Sequence, residues 1–465
     1  MHAIQRTQNS PSPTPQAGKP YERIKKAFLL LVIIFLLEGI FRKFIFYQFS
    51  SALLLVKCLP IIYIYSIYYA RHGNPIPAKI AILYYPTVIA FLIICIFQVA
   101  SIGDPRYFIL SIASLINYFL YIPLIFILLK VADEPFVELC IKLILMAFVL
   151  NTIFNVIQFS SPRTSFINSG QEIEGQSFGA FRATDETIRP SGIFATATGN
   201  VLFVNLVFYL LVANIFNERK INIPLWQTWA LWIMIFSAMS ISGTRGLILN
   251  WAMTLALFSI IFVPLRASAK SLQKMFTLFG ALVTTICLSY LLYPRGYDLL
   301  LQRFDDASYA ESQTFEYGIL GRIMRVFYSF TDYINPTPIF GYVIGIASNA
   351  AKQLSWVELP PHALSWNGYG SWATETAWAD HIVDVGIVFA IPYILLRIVL
   401  AWFFFRKSAA SHVVSSNSTA AMIFCGTLYT LIYGQITTNN NTGPAIFIYL
   451  AIAMATVGAR RKVLL

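Results

Sequence analysis

The chain has 465 residues, of which 57% are hydrophobic and 12% charged, with a mean hydropathy of +0.67 and a formal net charge of +12. These values lie far from those of an average soluble domain, and apolar runs of about 18 or more residues, each long enough to cross a hydrocarbon core of about 30 Å as a helix, recur throughout. They exclude a soluble protein, and they exclude a membrane β-barrel, whose strands would read as weakly alternating segments of about ten residues.

The expected fold class is therefore all-α, a polytopic membrane protein with about 12 transmembrane helices and one large extracytoplasmic loop domain. Residues 1–26, including the Pro/Ser-rich "NSPSPTPQAGKP", read as a disordered cytoplasmic tail. The predicted spans are 27–47, 50–70, 80–102, 107–130, 136–159, 193–216, 224–242, 246–265, 275–293, 382–405, 420–437 and 443–459. The first carries Glu38, Arg42 and Lys43 in its distal third, so it is expected to stop early or to hold these groups at an interface. The basic stretch up to Lys26 leads into an apolar run too long for the core of a cleavable signal peptide, so this span is expected to remain as an anchor. Helices 1–9 occupy 27–293, helices 10–12 and the C-terminus occupy 382–465, and two connections are too long to be simple links: about 160–191, and 294–381.

Orientation follows from the Lys and Arg residues of alternate short loops. With the N-terminus inside, the inner loops hold Arg71, Lys79, Lys130, Arg219, Lys220, Arg266, Lys270, Lys274, Arg406 and Lys407, ten residues against four (Arg42, Lys43, Arg106 and Arg245) in the outer ones. Both termini are thus expected in the cytoplasm, with the protein multi-pass in the cytoplasmic (inner) membrane. The positive charge is accounted for by topology and calls for no nucleic acid, although a basic inner face also suits anionic lipid. Cys58, Cys95, Cys140, Cys287 and Cys425 fall singly within predicted spans, and His2, His72, His362, His381 and His412 are scattered. Neither set has the spacing of a disulfide framework or a zinc site.

Between two apolar runs lies "AMSISGTRGLILNW", with Arg245 in an outer turn almost without a loop around it. One reading is an interfacial anchor, because snorkelling relieves the roughly 2.5–3.5 kcal/mol that an arginine costs at the bilayer centre. The other is an anion site: Gly243 and Gly246 flank the arginine, Ser242 or Thr244 can cap the next helix, and a helix N-terminus beside a guanidinium suits a phosphate or diphosphate.

"SGTRG" at 242–246 resembles the Ser-x-(Ser/Thr)-Arg-Gly turn of the O-antigen polymerase and O-antigen ligase superfamily. Three further segments are similar to that family in order and side. "RPSGIF" at 189–194 resembles its Arg-Pro-Ser-Gly-Thr-Phe segment. "GRIMRVFYSFTDYINPTPIFGYVIG" at 321–345 resembles its Arg, aromatic helix, Pro-x-x-Gly-x-x-x-Gly pattern, and "EGIFRKFIF" at 38–46 resembles the start of an exopolysaccharide-polymerase branch. The resemblance implies glycosyl transfer from a polyprenyl-diphosphate-linked oligosaccharide on the extracytoplasmic face, with no nucleotide sugar, cofactor or metal, and with a chain-length regulator and a flippase as partners. The departing diphosphate gathers negative charge that something cationic must stabilise. The outer loops hold no Asp-x-Asp element, and Arg189, Arg245 and Arg322 are the candidates, arginine being permanently charged and bidentate.

The acceptor hydroxyl must lose a proton. In "GSWATETAWADHIVDVG" at 370–386, Glu375 matches the glutamate of the exopolysaccharide branch, and Asp384 stands where that branch has Glu. Glu375 is the candidate base, with a capping or structural carboxylate as its other reading, and His362 is the second candidate base. Neither His362 nor His381 clearly matches the ligase histidine, so a polymerase is expected first and an O-antigen-type ligase is the alternative. Trp356, Trp366, Trp372, Trp378 and Tyr369 suit either sugar stacking or a membrane interface. Lys57, Lys142 and Arg397 lie in predicted spans and are expected to pair with Glu38 or Asp384, or to snorkel. Twelve spans also suit a saccharide transporter or flippase, but matched halves with broken helices are not legible here.

Overall fold

The computed structural model describes residues 19–45, 53, 55–162, 164–169, 172–173, 176–177, 188–218, 221, 223–266, 269–314, 320–321, 324, 327, 329–348, 351, 356–357, 377–437, 439 and 441–464. It is a helical bundle, to which a short hairpin pairing Glu172–Ile173 with Gln176–Ser177 is appended. The helices are α1 (Lys19–Ile40), α2 (Cys58–His72), α3 (Ala78–Ile102), α4 (Arg106–Leu115), α5 (Ile122–Val131), α6 (Glu134–Ser160), α7 (Ala197–Phe216), α8 (Leu225–Ser242), α9 (Arg245–Leu257), α10 (Ala269–Leu292), α11 (Pro294–Thr314), α12 (Ala377–Ser415), α13 (Thr419–Ile432) and α14 (Thr442–Leu464). Among the described residues nine helices are long and apolar enough to cross a membrane, α4 and α5 counting as one through a π-helical turn at Ile116–Leu120. The other three predicted spans correspond to α1, α2 and α13. Apolar side chains also face outward, Ile82, Ile109, Met146 and Phe276 being 67–77% exposed. Such a surface suits a lipid environment and not water.

Apolarity on every side places α14 at the centre, where its most apolar window is wholly buried, against 17% for that of peripheral α10. Small residues allow this. Ala445, Ala451, Ala453 and Ala455 are buried, and a Cβ at Gly458 would lie 2.1 Å from the Leu129 carbonyl oxygen of α5. Helix ends follow local chemistry. Asp133 caps α6 by accepting from Phe136 N at 3.2 Å, with a proline in the first turn, and Gly103 ends α3 in the left-handed region at φ 76°.

Short connections between helices about 27–40 Å long make the chain alternate between two ends of the bundle. At one end Lys25 meets Glu22 and Asp133, Arg266 meets Glu218, and Arg460 meets Glu134 at 3.2 Å. The opposite end, called the site end below, gathers the C-termini of α1, α3, α6, α8 and α13 and the N-termini of α7, α9, α12 and α14.

The structure departs from the sequence expectations there. The segment expected to enter a span at 193 stays irregular until the Thr196 hydroxyl caps α7 through Gly199 N, at 3.3 Å. The helix expected from 382 begins at Ala377 and breaks at Gly386, where φ is 73° and ψ 167°. Part of the expected large loop is packed inside the bundle. Val343 and Ile344 are fully buried, Tyr342 N donates to Val383 O at 2.9 Å, and Gln98 bonds Phe340 O, Asp384 O and Ile344 N at 2.6, 2.8 and 3.1 Å. Gly341, at φ 70°, and Gly386 are the points of closest approach, and a Cβ on Gly386 would lie 1.9 Å from Ile339 O. Gly386→Ala is accordingly expected to cost about 2–3 kcal/mol through backbone strain and overlap. A thermal scan in detergent that gave the wild-type midpoint would contradict this.

Candidate functional site

Residues 188–196 form an irregular strap at the site end, and buried amides hold it. Asn151, Asn155 and Gln158 stand at i, i+4 and i+7 on one face of α6. The Gln158 Oε1 accepts from Ser191 N and Gly192 N at 3.0 and 2.9 Å, and Asn151 Oδ1 accepts from Ile193 N at 3.1 Å. Asn200 of α7 donates to Pro190 O and to Asn155 Oδ1, both at 3.0 Å. Irregular backbone between apolar helices survives only where each polar group finds a partner, and these amides supply them. Gln158→Leu would leave two buried N–H groups without an acceptor and is expected to cost about 2–4 kcal/mol, at 1–3 for each. Denaturant unfolding in detergent measures it, and a loss below 1 kcal/mol would show that the strap does not depend on this side chain.

The end of α1 and the turn beyond it meet the strap. A Cβ at Gly39 would lie 2.2 Å from Ile193 O, so glycine is what lets the two backbones touch. Beyond Ile40 the chain makes a π-helical turn over Phe41–Ile45, and Lys43 donates to Ser191 Oγ. Glu38 pairs with Arg42 at 3.2 Å and with Lys57 at 2.8 Å, all three less than 10% exposed on their side chains. The expected pairing of Lys57 with Glu38 is present; the α-helix of the first span stops at Ile40, and Glu38, Arg42 and Lys43 are buried within the protein. Lys142 pairs with Glu138 at 2.8 Å on the outside of α6.

A second buried network lies beside the break in α12. His381 is fully buried, with Nδ1 2.9 Å from the Tyr118 hydroxyl and Nε2 2.8 Å from Arg397 Nη1. A guanidinium only donates, so Nε2 accepts and Nδ1 carries the hydrogen. Tyr118 in turn donates to Asp384 Oδ2 at 3.0 Å, and Asp384 Oδ1 accepts from Ala347 N at 3.0 Å. Arg397 also donates to the carbonyl oxygens of Leu431, Thr430 and Gly434 at 2.7, 3.0 and 2.7 Å. Its partners are therefore His381 and the end of α13, not the expected Asp384. With its lone pair engaged, His381 is a structural link and not a base.

Compared with family models and with curated proteins, the chain matches none. The positions of the candidate residues therefore rest on the fold alone. Arg245 opens α9 two residues after Gly243, whose φ of 55° closes α8. Because α7 starts at the strap and the chain crosses the bundle in α7 and again in α8, this turn stands at the same end as Arg189 and Lys43. Both arginines are half-buried, and the Arg245 guanidinium lies 5.8 Å from the centre of the Phe304 ring. The expected capping of α9 does not form. Thr244 makes no cap bond but donates to Ser242 O at 3.1 Å, while Ser242 Oγ donates to Met239 O at 2.9 Å. The first-turn N–H groups of α9 are thus not engaged by either hydroxyl. Gly246 is exposed and a Cβ there would make only an ordinary contact with Thr244 Cγ2 at 3.7 Å, so only Gly243 is needed for the turn.

Arg322, Glu375 and His362 lie outside the described residues, as do Trp366, Tyr369 and Trp372. Trp378 is placed. Its indole N–H donates to Ile432 O at 2.7 Å and its ring stacks on Tyr433 at 4.6 Å, which makes it a packing residue instead of an open sugar platform. Trp356 holds Arg106 over its ring at 5.0 Å. Sequence reasoning missed the amides of α6 and the partners Tyr118 and Gln98. Three Asn/Gln residues at helical spacing in an apolar run were a legible signal, whereas Tyr118 had none.

Proposed function

We propose that the protein is a metal-independent membrane glycosyltransferase. It polymerises saccharide units carried on polyprenyl diphosphate, at the extracytoplasmic face of the cytoplasmic membrane, in the manner of the O-antigen polymerase and ligase superfamily. On this reading the bundle makes twelve crossings with both termini in the cytoplasm, and the site end faces outward with the large loop. The observation that carries it is the meeting of two segments about 150 residues apart in sequence, 38–43 and 189–196. Lys43 donates to Ser191, two residues from Arg189, and Arg42 and Lys57 share the Glu38 carboxylate next to Gly39, all at the end of the bundle that also carries Arg245. Such an excess of cations among buried amides suits a diphosphate. In the reaction the acceptor hydroxyl attacks the anomeric carbon, the bond to the diphosphate oxygen breaks, and polyprenyl diphosphate leaves against these cations. Glu375 takes the hydroxyl proton, with His362 as the second candidate. A flippase supplies the donor, and a chain-length regulator acts on the product.

A transporter reading draws on one feature, the break of α12 at Gly386 beside buried Asp384 and Arg397. The saturation of Arg397 by carbonyls and His381 leaves it little to offer a moving substrate. Purified protein in vesicles loaded with lipid-linked oligosaccharide separates the readings. Products lengthened by whole repeat units are expected. Movement of intact lipid-linked sugar without lengthening would favour transport, and transfer only to a lipid or protein acceptor would favour a ligase.

A further inference from the structure

The turn joining α13 to α14, residues 433–442, is tied directly to the strap. Asn441 Nδ2 donates to Thr196 Oγ1 at 3.2 Å. Asn439 Oδ1 accepts from Asn441 N at 3.0 Å and from Thr442 N at 3.2 Å, which fixes the turn at the start of α14. The turn is compact, since a Cβ at Gly443 would lie 2.0 Å from Ile436 O. Its other edge is aromatic: Tyr433 stacks on Trp378, and Phe327, 42% exposed, meets Tyr433 at 4.9 Å with its ring nearly perpendicular.

The composition of this turn differs from that of the cation cluster beside it. "YGQITTNNNTG" over 433–443 contains no ionisable acid or base apart from the tyrosine, and its polar groups are amides and hydroxyls. Among the described residues, the bonds made by Asn439 engage its oxygen and those made by Asn441 engage its nitrogen. Two half-buried amides two residues apart thus retain a donor on one and an acceptor on the other. Adjacent hydroxyls of a sugar ring, each able to donate and accept, are complementary to that pair, and the apolar face of a ring suits an exposed aromatic. A phosphate, which only accepts, would find one of the two groups repelling it.

We propose that Asn439 and Asn441, walled by Phe327 and Tyr433, form the subsite that reads the uncharged pyranose ring next to the donor diphosphate. This rests on the glycosyltransferase reading, in which the sugar is bonded to the group held by Lys43 and Arg189. The contact of Asn441 with Thr196, five residues beyond Ser191, gives that adjacency. Lipid anchorage and sugar choice are then separate jobs of the strap and the turn.

The test compares two probes on full-length protein in detergent: bare undecaprenyl diphosphate, and lipid-linked oligosaccharide extracted from the membranes of cells that naturally carry the protein. Wild type is expected to bind the sugar-bearing lipid more tightly. Asn441→Ala and Asn439→Asp are each expected to weaken it about three- to tenfold, one neutral hydrogen bond being worth about 0.5–1.5 kcal/mol, and Phe327→Ala by a similar factor. Binding of bare undecaprenyl diphosphate should stay within twofold in all three. Thermal midpoints identify any variant that has merely lost its fold, and Phe327→Ala, outside the turn, keeps the test decisive if both asparagine variants do. Equal weakening of both probes in folded variants, or of neither, would overturn the subsite. A wild-type protein that binds neither probe would instead overturn the glycosyltransferase reading.

Discussion

Arg397→Ala is expected to destabilise the protein by about 2–5 kcal/mol, from the cavity left by a large buried side chain and the buried acceptors that lose a donor. Arg397 is 1% exposed, and its guanidinium serves four acceptors: three carbonyl oxygens at the end of α13, and His381 Nε2. Those carbonyls lie in the last turn of α13 and just beyond it, where a helix runs short of donors, so the side chain reinforces the backbone bonds that end α13. Truncation opens a cavity, takes its side-chain donor from Leu431 O and the second donor from Thr430 O and Gly434 O, which also accept from Gly434 N and Ile436 N, and frees His381 from the bond that sets its tautomer. Arg397→Lys is expected to recover less than half of the loss, because three hydrogens on one nitrogen cannot span acceptors that a planar fork reaches from three. Denaturant unfolding in detergent, at matched protein level, provides the measurement. A cost below about 1 kcal/mol for alanine would mean that water or a neighbouring donor replaces the guanidinium.

Arg245→Ala is expected to abolish high-molecular-weight polysaccharide, and Arg245→Lys to leave little, at unchanged protein level and thermal midpoint. The turn places this guanidinium at the start of α9, half-buried, where Thr244 Oγ1 donates to Ser242 O, and Ser242 Oγ donates to Met239 O and accepts from Thr244 N, so that neither hydroxyl reaches the first-turn amides of α9. On the proposed glycosyltransferase reading, a helix beginning and a permanent cation act together on the diphosphate. A charge-assisted hydrogen bond is worth about 1.5–3 kcal/mol, and a bidentate contact that tightens as the diphosphate departs enters the rate in full. Lysine keeps the charge but loses the fork. Full activity in both variants would return Arg245 to the role of interfacial anchor, resting against Phe304.

These two arginines differ in how far the sequence announces them. Arg245 stands out because two glycines and two hydroxyls surround it between apolar runs, and its place in a turn at a helix start follows from that local pattern. Arg397 reads as one cation in an apolar span, and the natural expectation is a carboxylate partner such as Asp384. Its actual partners are carbonyl oxygens, which every residue carries and which no pattern of side chains can mark. The same holds for Gly39, whose meaning is a backbone from residue 193 lying against it.

Composition and the lengths of the apolar runs determined that this chain is a bundle of membrane-type helices, because the cost of placing polar backbone in hydrocarbon leaves few alternatives. The local glycines and the basic loops determined where the chain turns. Only the tertiary structure decided that α14 is the central helix, that α12 breaks at Gly386 to admit residues 338–348, and that the strap at 188–196 is held by the amides of α6 against the charged end of α1. Each of these depends on contacts between segments far apart in sequence. Their stability comes from hydrogen bonds and close packing that exist only after the helices have assembled.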